Sequence, residues 1–186
     1  PAECDAHIAL AESIGFEDAP INATFGPEIR KDVRNNTRVM VDDVSRVTDL
    51  WNRITTFIPR ELENWTACGV NERFRYYRYD VGQQFNWHYD GAFERPNGER
   101  SQLTFMVYLN DGFEGGSTSF CDDTGLMPDG PLRIVPEKGM ALLFHHPIMH
   151  RGDPVTKGRK YVLRTDVMYR RTGDIKEPAL AQAICG

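Results

Sequence analysis

Residues 71–90 read N-E-R-F-R-Y-Y-R-Y-D-V-G-Q-Q-F-N-W-H-Y-D, and in this stretch the chain turns to short β-prone runs broken by glycine and proline. Glu72 to Tyr79 alternates cations with aromatics, as a half-buried strand does. Asp80-Val81-Gly82 supplies a turn, and Phe85 to Tyr89 is extended again. If that second run continues to Asp90, the period of two puts His88 and Asp90 on one face. Working outward, further strands are expected at Gln102 to Leu109, Thr118 to Phe120, Leu132 to Val135, Met140 to Phe144 and Tyr161 to Tyr169. Turns fall at Arg95-Pro96-Asn97-Gly98, Gly115-Gly116, Pro128-Asp129-Gly130 and Lys138-Gly139.

Upstream, the periodicity is helical. Ile8, Ala11 and Ile14 mark a helix over Glu3 to Phe16. Val44, Val47, Leu50, Trp51 and Ile54 mark a second, capped by Asp43 or Ser45 and stopped by Pro59. Asn22 to Arg38 lacks periodicity and reads as a loop or short ribbon. The expected fold is mainly β with N-terminal helices (α+β), a double-stranded β-helix or cupin-like jelly roll flanked by two or more helices. A length of 186 residues suits a single domain over 1–186, with helical support over about 1–66 and a jelly-roll core over about 70–172.

With 40% hydrophobic and 26% charged residues the composition is that of a globular protein, and a net charge of -5 offers no footprint for nucleic acid. Cys4, Cys68, Cys121 and Cys185 form no C-x-x-C pair and are read as reduced thiols. No apolar run approaches the roughly 18 residues of a membrane span, so no membrane partner is expected. Cytoplasmic localisation is the expectation, although the chain opens at Pro1 rather than methionine, which leaves a leader or extension ahead of it open.

His88, Asp90 and the distant His150 can form a facial triad of two imidazoles and a carboxylate, a donor set suited to ferrous iron that leaves positions open for chemistry. An H-x-D pair alone is weak, and His145 and His146 compete for the third position. Four segments in one order strengthen the reading: Tyr79 to Asp90, Leu103 to Phe120 (L-T-F-M-V-Y-L-N-D-G-F-E-G-G-S-T-S-F), Lys138-Gly139, and His150 to Tyr161 (H-R-G-D-P-V-T-K-G-R-K-Y). Together they resemble the prolyl 4-hydroxylase-like branch of the Fe(II)/2-oxoglutarate-dependent dioxygenase superfamily.

The resemblance implies His88, Asp90 and His150 as iron ligands, with Lys160 holding the distal carboxylate of 2-oxoglutarate. Only His150 is followed by Pro154, Gly158 and Lys160 at the family's spacing. A buried dicarboxylate needs such a cation once water is excluded. Tyr108 matches a tyrosine that assists the basic residue, and Tyr79 matches another near the oxo-acid end; both are otherwise core aromatics. Thr104 and Thr118 are expected to line the same interior. If Lys160 opens the last strand, Lys160, Val162 and Arg164 share a face and Arg159 points away. Arg164 would then reach the cosubstrate or, as preferred here, pair with Asp166 or another buried acid.

The implied cofactors are Fe(2+), 2-oxoglutarate and O2, with ascorbate as a further one. The implied reaction is hydroxylation coupled to decarboxylation of 2-oxoglutarate to succinate and CO2. Peptidyl proline is the leading substrate and a free amino acid or other small metabolite the alternative. From another class comes a non-catalytic, cupin-like metal or ligand-binding module. Arg34 and Arg38, with Arg95 and Arg100 of a second loop, can meet a peptide backbone or an acidic substrate, and surface solvation explains them equally well. Gly115-Gly116 lacks the lysine and helix of a phosphate loop, and Ser117 and Ser119 lack a nucleophile elbow.

Overall fold

The computed structural model describes residues 1–23, 25–121 and 130–174; Cys185 and the Pro128-Asp129 part of one expected turn lie outside them. Helix α1 spans Ala2–Ile14 and ends where Gly15 takes a φ of 93°. Helix α2 spans Val44–Ile54, its first turn capped by the Asp43 carboxylate, which accepts from the Arg46 amide at 2.9 Å. A short 3-10 turn at Thr55–Phe57 follows, ahead of Pro59.

The remainder is antiparallel. The long Lys160–Arg171 strand pairs along one edge with Arg73–Tyr79 and Trp65–Val70, and along the other with Arg100–Tyr108. Thr37–Asp42 adds outside Arg73–Tyr79, and Ala141–His145 outside Arg100–Tyr108. A second, four-stranded sheet runs Leu132–Ile134, Thr118–Cys121, Met149–Gly152, Phe85–His88. These two sheets are the layers of a jelly roll, as the turn spacing predicts.

Alternation sorts the two faces of the large sheet. Phe74, Tyr76 and Leu163 point outward and are covered by the helices through Cys4, Ala11, Val47 and Leu50. Tyr77, Tyr79, Tyr108 and Val162 point inward, between the sheets. Each fully buried aliphatic or aromatic side chain contributes about 1.5–3 kcal/mol, so the helices hold the outer face of the sheet whose inner face carries the site.

The structure corrects two expectations and bears out a third, the loop or short ribbon read at Asn22 to Arg38. The segment assigned to helical support also contributes strands, Thr37–Asp42 being the longest that lies wholly within it, held by pairing rather than by local pattern. Asn22 to Arg38 is partly ribbon, with Ile21–Ala23 paired to Gly26–Glu28. The second run ends at His88, so Asp90 follows the strand instead of belonging to it, and its amide donates to the His146 carbonyl at 3.1 Å.

Candidate active site

His88 and His150 are cross-strand partners in the small sheet, which sets their rings 4.2 Å apart between centroids. His88 Nε2 lies 3.9 Å from one Asp90 oxygen and His150 Nε2 3.6 Å from the other. The three ligand atoms all fall within 4.8 Å of one another. His88 Nδ1 is 2.7 Å from the Asn86 carbonyl and His150 Nδ1 is 2.9 Å from the Ile148 carbonyl. A carbonyl can only accept, so both Nδ1 atoms carry the proton and both Nε2 lone pairs face the cluster. Burial lowers both histidines, His88 to about 3, which keeps the imidazoles neutral and ligating. The donor set therefore fits one ferrous ion.

Asp90 is held from behind. Burial pushes its carboxyl up, but the Arg164 guanidinium at 3.0 Å, His150 and the Thr104 hydroxyl at 2.6 Å outweigh that and keep it well below the usual carboxylate range. Arg164 also pairs with Asp166 at 3.0 Å. Of the two roles expected for Arg164, its contacts are those of structural pairing, one partner being the triad carboxylate itself. Behind Thr104, His146 uses both nitrogens: Nδ1 donates to Thr104 at 3.1 Å and Nε2 accepts from Ser101 at 2.9 Å. That leaves His146 no lone pair for a metal, and His145 is exposed at the far end of its strand.

Lys160 stands opposite, cross-strand from Tyr79, 2% exposed. Its Nζ donates to the Gly116 carbonyl at 2.6 Å and lies 5.2 Å from the centre of the Tyr79 ring and 5.3 Å from that of Tyr108. No carboxylate pairs with it among the described residues. Burial pushes its pKa down to about 7. A pocket joins Lys160 to the triad, lined also by Tyr79, Thr118, Val162 and Arg164. The shared inward face of Lys160, Val162 and Arg164 is as the alternation predicts. Arg159 points away, to Asp80 at 2.5 Å.

Tyr108 stands beside Lys160, fully buried, and its hydroxyl donates to Thr118 at 2.6 Å. Thr118 accepts that bond and so has its own proton free for the pocket.

An anion reaching Lys160 restores its charge, so cosubstrate binding takes up a proton wherever the free site has lost one. A lysine lowered from 10.5 to about 7 is charged in the free site only below about 7. Affinity for 2-oxoglutarate is expected to fall by up to about tenfold per pH unit above 7. Calorimetric titration between neutral and alkaline pH, in buffers of different ionisation enthalpy, checks both the fall and the proton uptake.

Gly116 is fixed by the same cation. Its φ is +64°, and a Cβ there would sit 3.2 Å from Lys160 Cδ and 3.0 Å from Phe113. Gly116→Ala is expected to cost about 1–3 kcal/mol of stability and to weaken 2-oxoglutarate binding by displacing Lys160; thermal unfolding and the same titration read the two effects separately.

Several site residues escaped the sequence reading. Phe85 stacks on His88 at 3.5 Å between centroids, and Tyr77 lines the pocket beside Arg164. Arg34, one of the arginines expected to meet substrate, lies 4.3 Å over the Phe85 ring. The alternation of Arg73 to Tyr79 was the one signal that could have placed Tyr77 on the inward face with Tyr79.

Residues 74–165 match the sequence model of the 2OG-Fe(II) oxygenase superfamily. Probable prolyl 4-hydroxylase 8 of Arabidopsis thaliana is 29% identical over 189 residues, covering 86% of this chain and 62% of the relative. This chain thus spans less than two thirds of that relative's length. A prolyl hydroxylase from Trichoplax adhaerens, solved in complex with a hypoxia inducible factor oxygen degradation domain peptide fragment, superposes with a TM-score of 0.64 at 16% identity, over 86% of this chain and 73% of that one. A viral collagen prolyl hydroxylase from Paramecium Bursaria Chlorella virus-1, solved as a 2OG complex, gives 0.54 at 20% identity, over 90% of each. At these identities the two structures bear on the fold, and the family match with the sequence relatives bears on descent: the chain belongs to the 2OG-Fe(II) oxygenase superfamily, in its prolyl 4-hydroxylase-like branch.

Proposed function

We propose that this chain carries an Fe(II)- and 2-oxoglutarate-dependent dioxygenase activity that hydroxylates prolyl residues in a peptide or protein. The observation that carries the reading is the buried Lys160 ammonium, without a carboxylate partner among the described residues, in the same pocket as the His88, Asp90 and His150 donors. A bare metal-binding module has no use for that cation.

Bound iron, 2-oxoglutarate and O2 supply the oxidant, with the 2-oxo acid converted to succinate and CO2. The chain's own residues do the rest. His88, Asp90 and His150 would hold the metal. Arg164 and Thr104 fix the Asp90 carboxylate, and the two backbone carbonyls fix the imidazole tautomers. Lys160 anchors the distal carboxylate, with the Thr118 hydroxyl beside it, so the oxo-acid end is directed back toward the triad. The Tyr79, Val162 and Phe144 side chains exclude water from the space between.

A peptide substrate is supported by the names of the relatives and by an open groove that runs along Pro20, Tyr89 and Gly91 to His88 and Asp90. Succinate release is expected with proline-rich peptides, with hydroxyproline in the peptide product by mass spectrometry. Turnover confined to free amino acids would transfer the reading to a small-molecule hydroxylase.

A further inference from the structure

The groove beside the triad is cationic in a way the reaction itself does not require. Arg34, Arg38, Arg75 and Arg164 line it, together with His88, Asp90 and Tyr89. Two of the four are matched: Arg75 pairs with Asp166 at 2.9 Å, and Arg164 with Asp90 and Asp166. Arg34 and Arg38 have no ion pair among the described residues.

Arg34 is 6% exposed and held in place from several sides. Its guanidinium lies over the Tyr77 and Phe85 rings at 4.6 and 4.3 Å, and Nε donates to Asn36 at 2.8 Å. Nη1 reaches the Pro20 carbonyl at 3.5 Å, while Nη2 is buried with no hydrogen-bond partner. Arg38 is half-buried, and its Nε is likewise without a partner. Glu17 is its cross-strand neighbour, but no carboxylate oxygen of the described residues comes within ion-pairing distance. Burying guanidinium donors unmet is costly, and the group that satisfies them best is a carboxylate, whose two oxygens match the planar fork. Phe85 carries both the Arg34 guanidinium and, at 3.5 Å, the His88 imidazole, so the unmet donors stand next to the metal ligands.

We infer that Arg34 and Arg38 form a carboxylate subsite of the substrate groove, so that the substrate carries an acidic group close to the atom that is hydroxylated. The inference rests on the proposed reading of the site as an oxygenase. Under the peptidyl reading the group is an Asp or Glu side chain within a few residues of the target proline, rather than a free small acid.

The test is equilibrium binding without turnover, to the Fe(II)- and 2-oxoglutarate-loaded protein under anaerobic conditions. One arm compares proline heptapeptides bearing Glu at each position in turn with their Gln isosteres. The other compares L-proline with prolinamide. At one register the Glu peptide is expected to bind about tenfold or more tighter than its Gln partner, since a charged bidentate pair is replaced by a neutral contact. The advantage should vanish in Arg38→Gln, return in part in Arg38→Lys, and shrink with added salt.

Carboxylate preference in the small-acid arm alone, with the same dependence on Arg38, would keep the subsite and remove the peptidyl reading. Equal binding of acid and amide forms in both arms would overturn the inference even if prolyl peptides are turned over. So would a preference unchanged in Arg38→Gln.

Discussion

Lys160→Met is expected to remove 2-oxoglutarate binding while iron binding persists. Methionine keeps the length of the stem, so the pocket wall formed with Tyr79 and Val162 stays filled. What disappears is the ammonium that meets the distal carboxylate. Deleting one partner of a buried, hydrogen-bonded charge pair costs about 2–5 kcal/mol, or roughly thirty-fold to several-thousand-fold in affinity. The fold should not suffer in proportion. In the free protein Lys160 is a buried cation held by the Gly116 carbonyl, and burial, only partly offset by the charge of Asp153, brings it to about 7, so its removal relieves a cost that the ligand otherwise offsets. The expected signature is an unchanged or raised melting temperature, near-normal iron affinity, and lost cosubstrate affinity. Loss of iron together with the cosubstrate would mean that Lys160 supports the triad instead.

Asp90→Ala and His150→Ala are both expected to abolish iron binding, yet to differ in stability. Without Asp90, Arg164 keeps only Asp166 as a charge partner among the described residues, and the Thr104 hydroxyl loses its acceptor. Stranding part of a buried ion pair costs several kcal/mol, about 3–5 when the remaining charge is wholly uncompensated and less here because Asp166 stays. Removing His150 costs packing against Phe120 and Phe144 but leaves no unmet charge. Chemical denaturation of the metal-free variants separates the two, with Asp90→Ala the less stable. Adding Arg164→Met to Asp90→Ala should recover part of the difference without restoring iron. Iron bound normally by His150→Ala would move the third ligand elsewhere, although His146 is already committed to Thr104 and Ser101.

The triad and Lys160 were legible because their spacing is local within each segment and the segments follow one order. The shared face of Lys160, Val162 and Arg164 followed from alternation alone, which a regular strand enforces. What stayed hidden depends on contacts between distant parts of the chain. Thr104 bonds Asp90 across 14 residues of sequence, and Arg164 reaches Asp90 from another strand. Nothing in either local pattern signals such a meeting. Tyr108 was placed beside the basic residue by resemblance, but the partner of its hydroxyl, Thr118, is set by the packing of two sheets. The Thr37–Asp42 strand was missed for the same reason: it is stabilised as a partner of Arg73–Tyr79, and with it comes the orientation of Arg38 toward the groove.

Anaerobic titration of the Fe(II)-loaded protein with 2-oxoglutarate tests the central claim most directly. A 2-oxo acid that chelates iron through its carboxylate and keto oxygens gives a weak visible charge-transfer band. The band should appear in the parent protein, require far more 2-oxoglutarate in Lys160→Met, and be absent in His150→Ala. A parent protein that binds iron but shows neither the band nor succinate formation on exposure to O2 would contradict the account and leave a metal-binding jelly roll in its place.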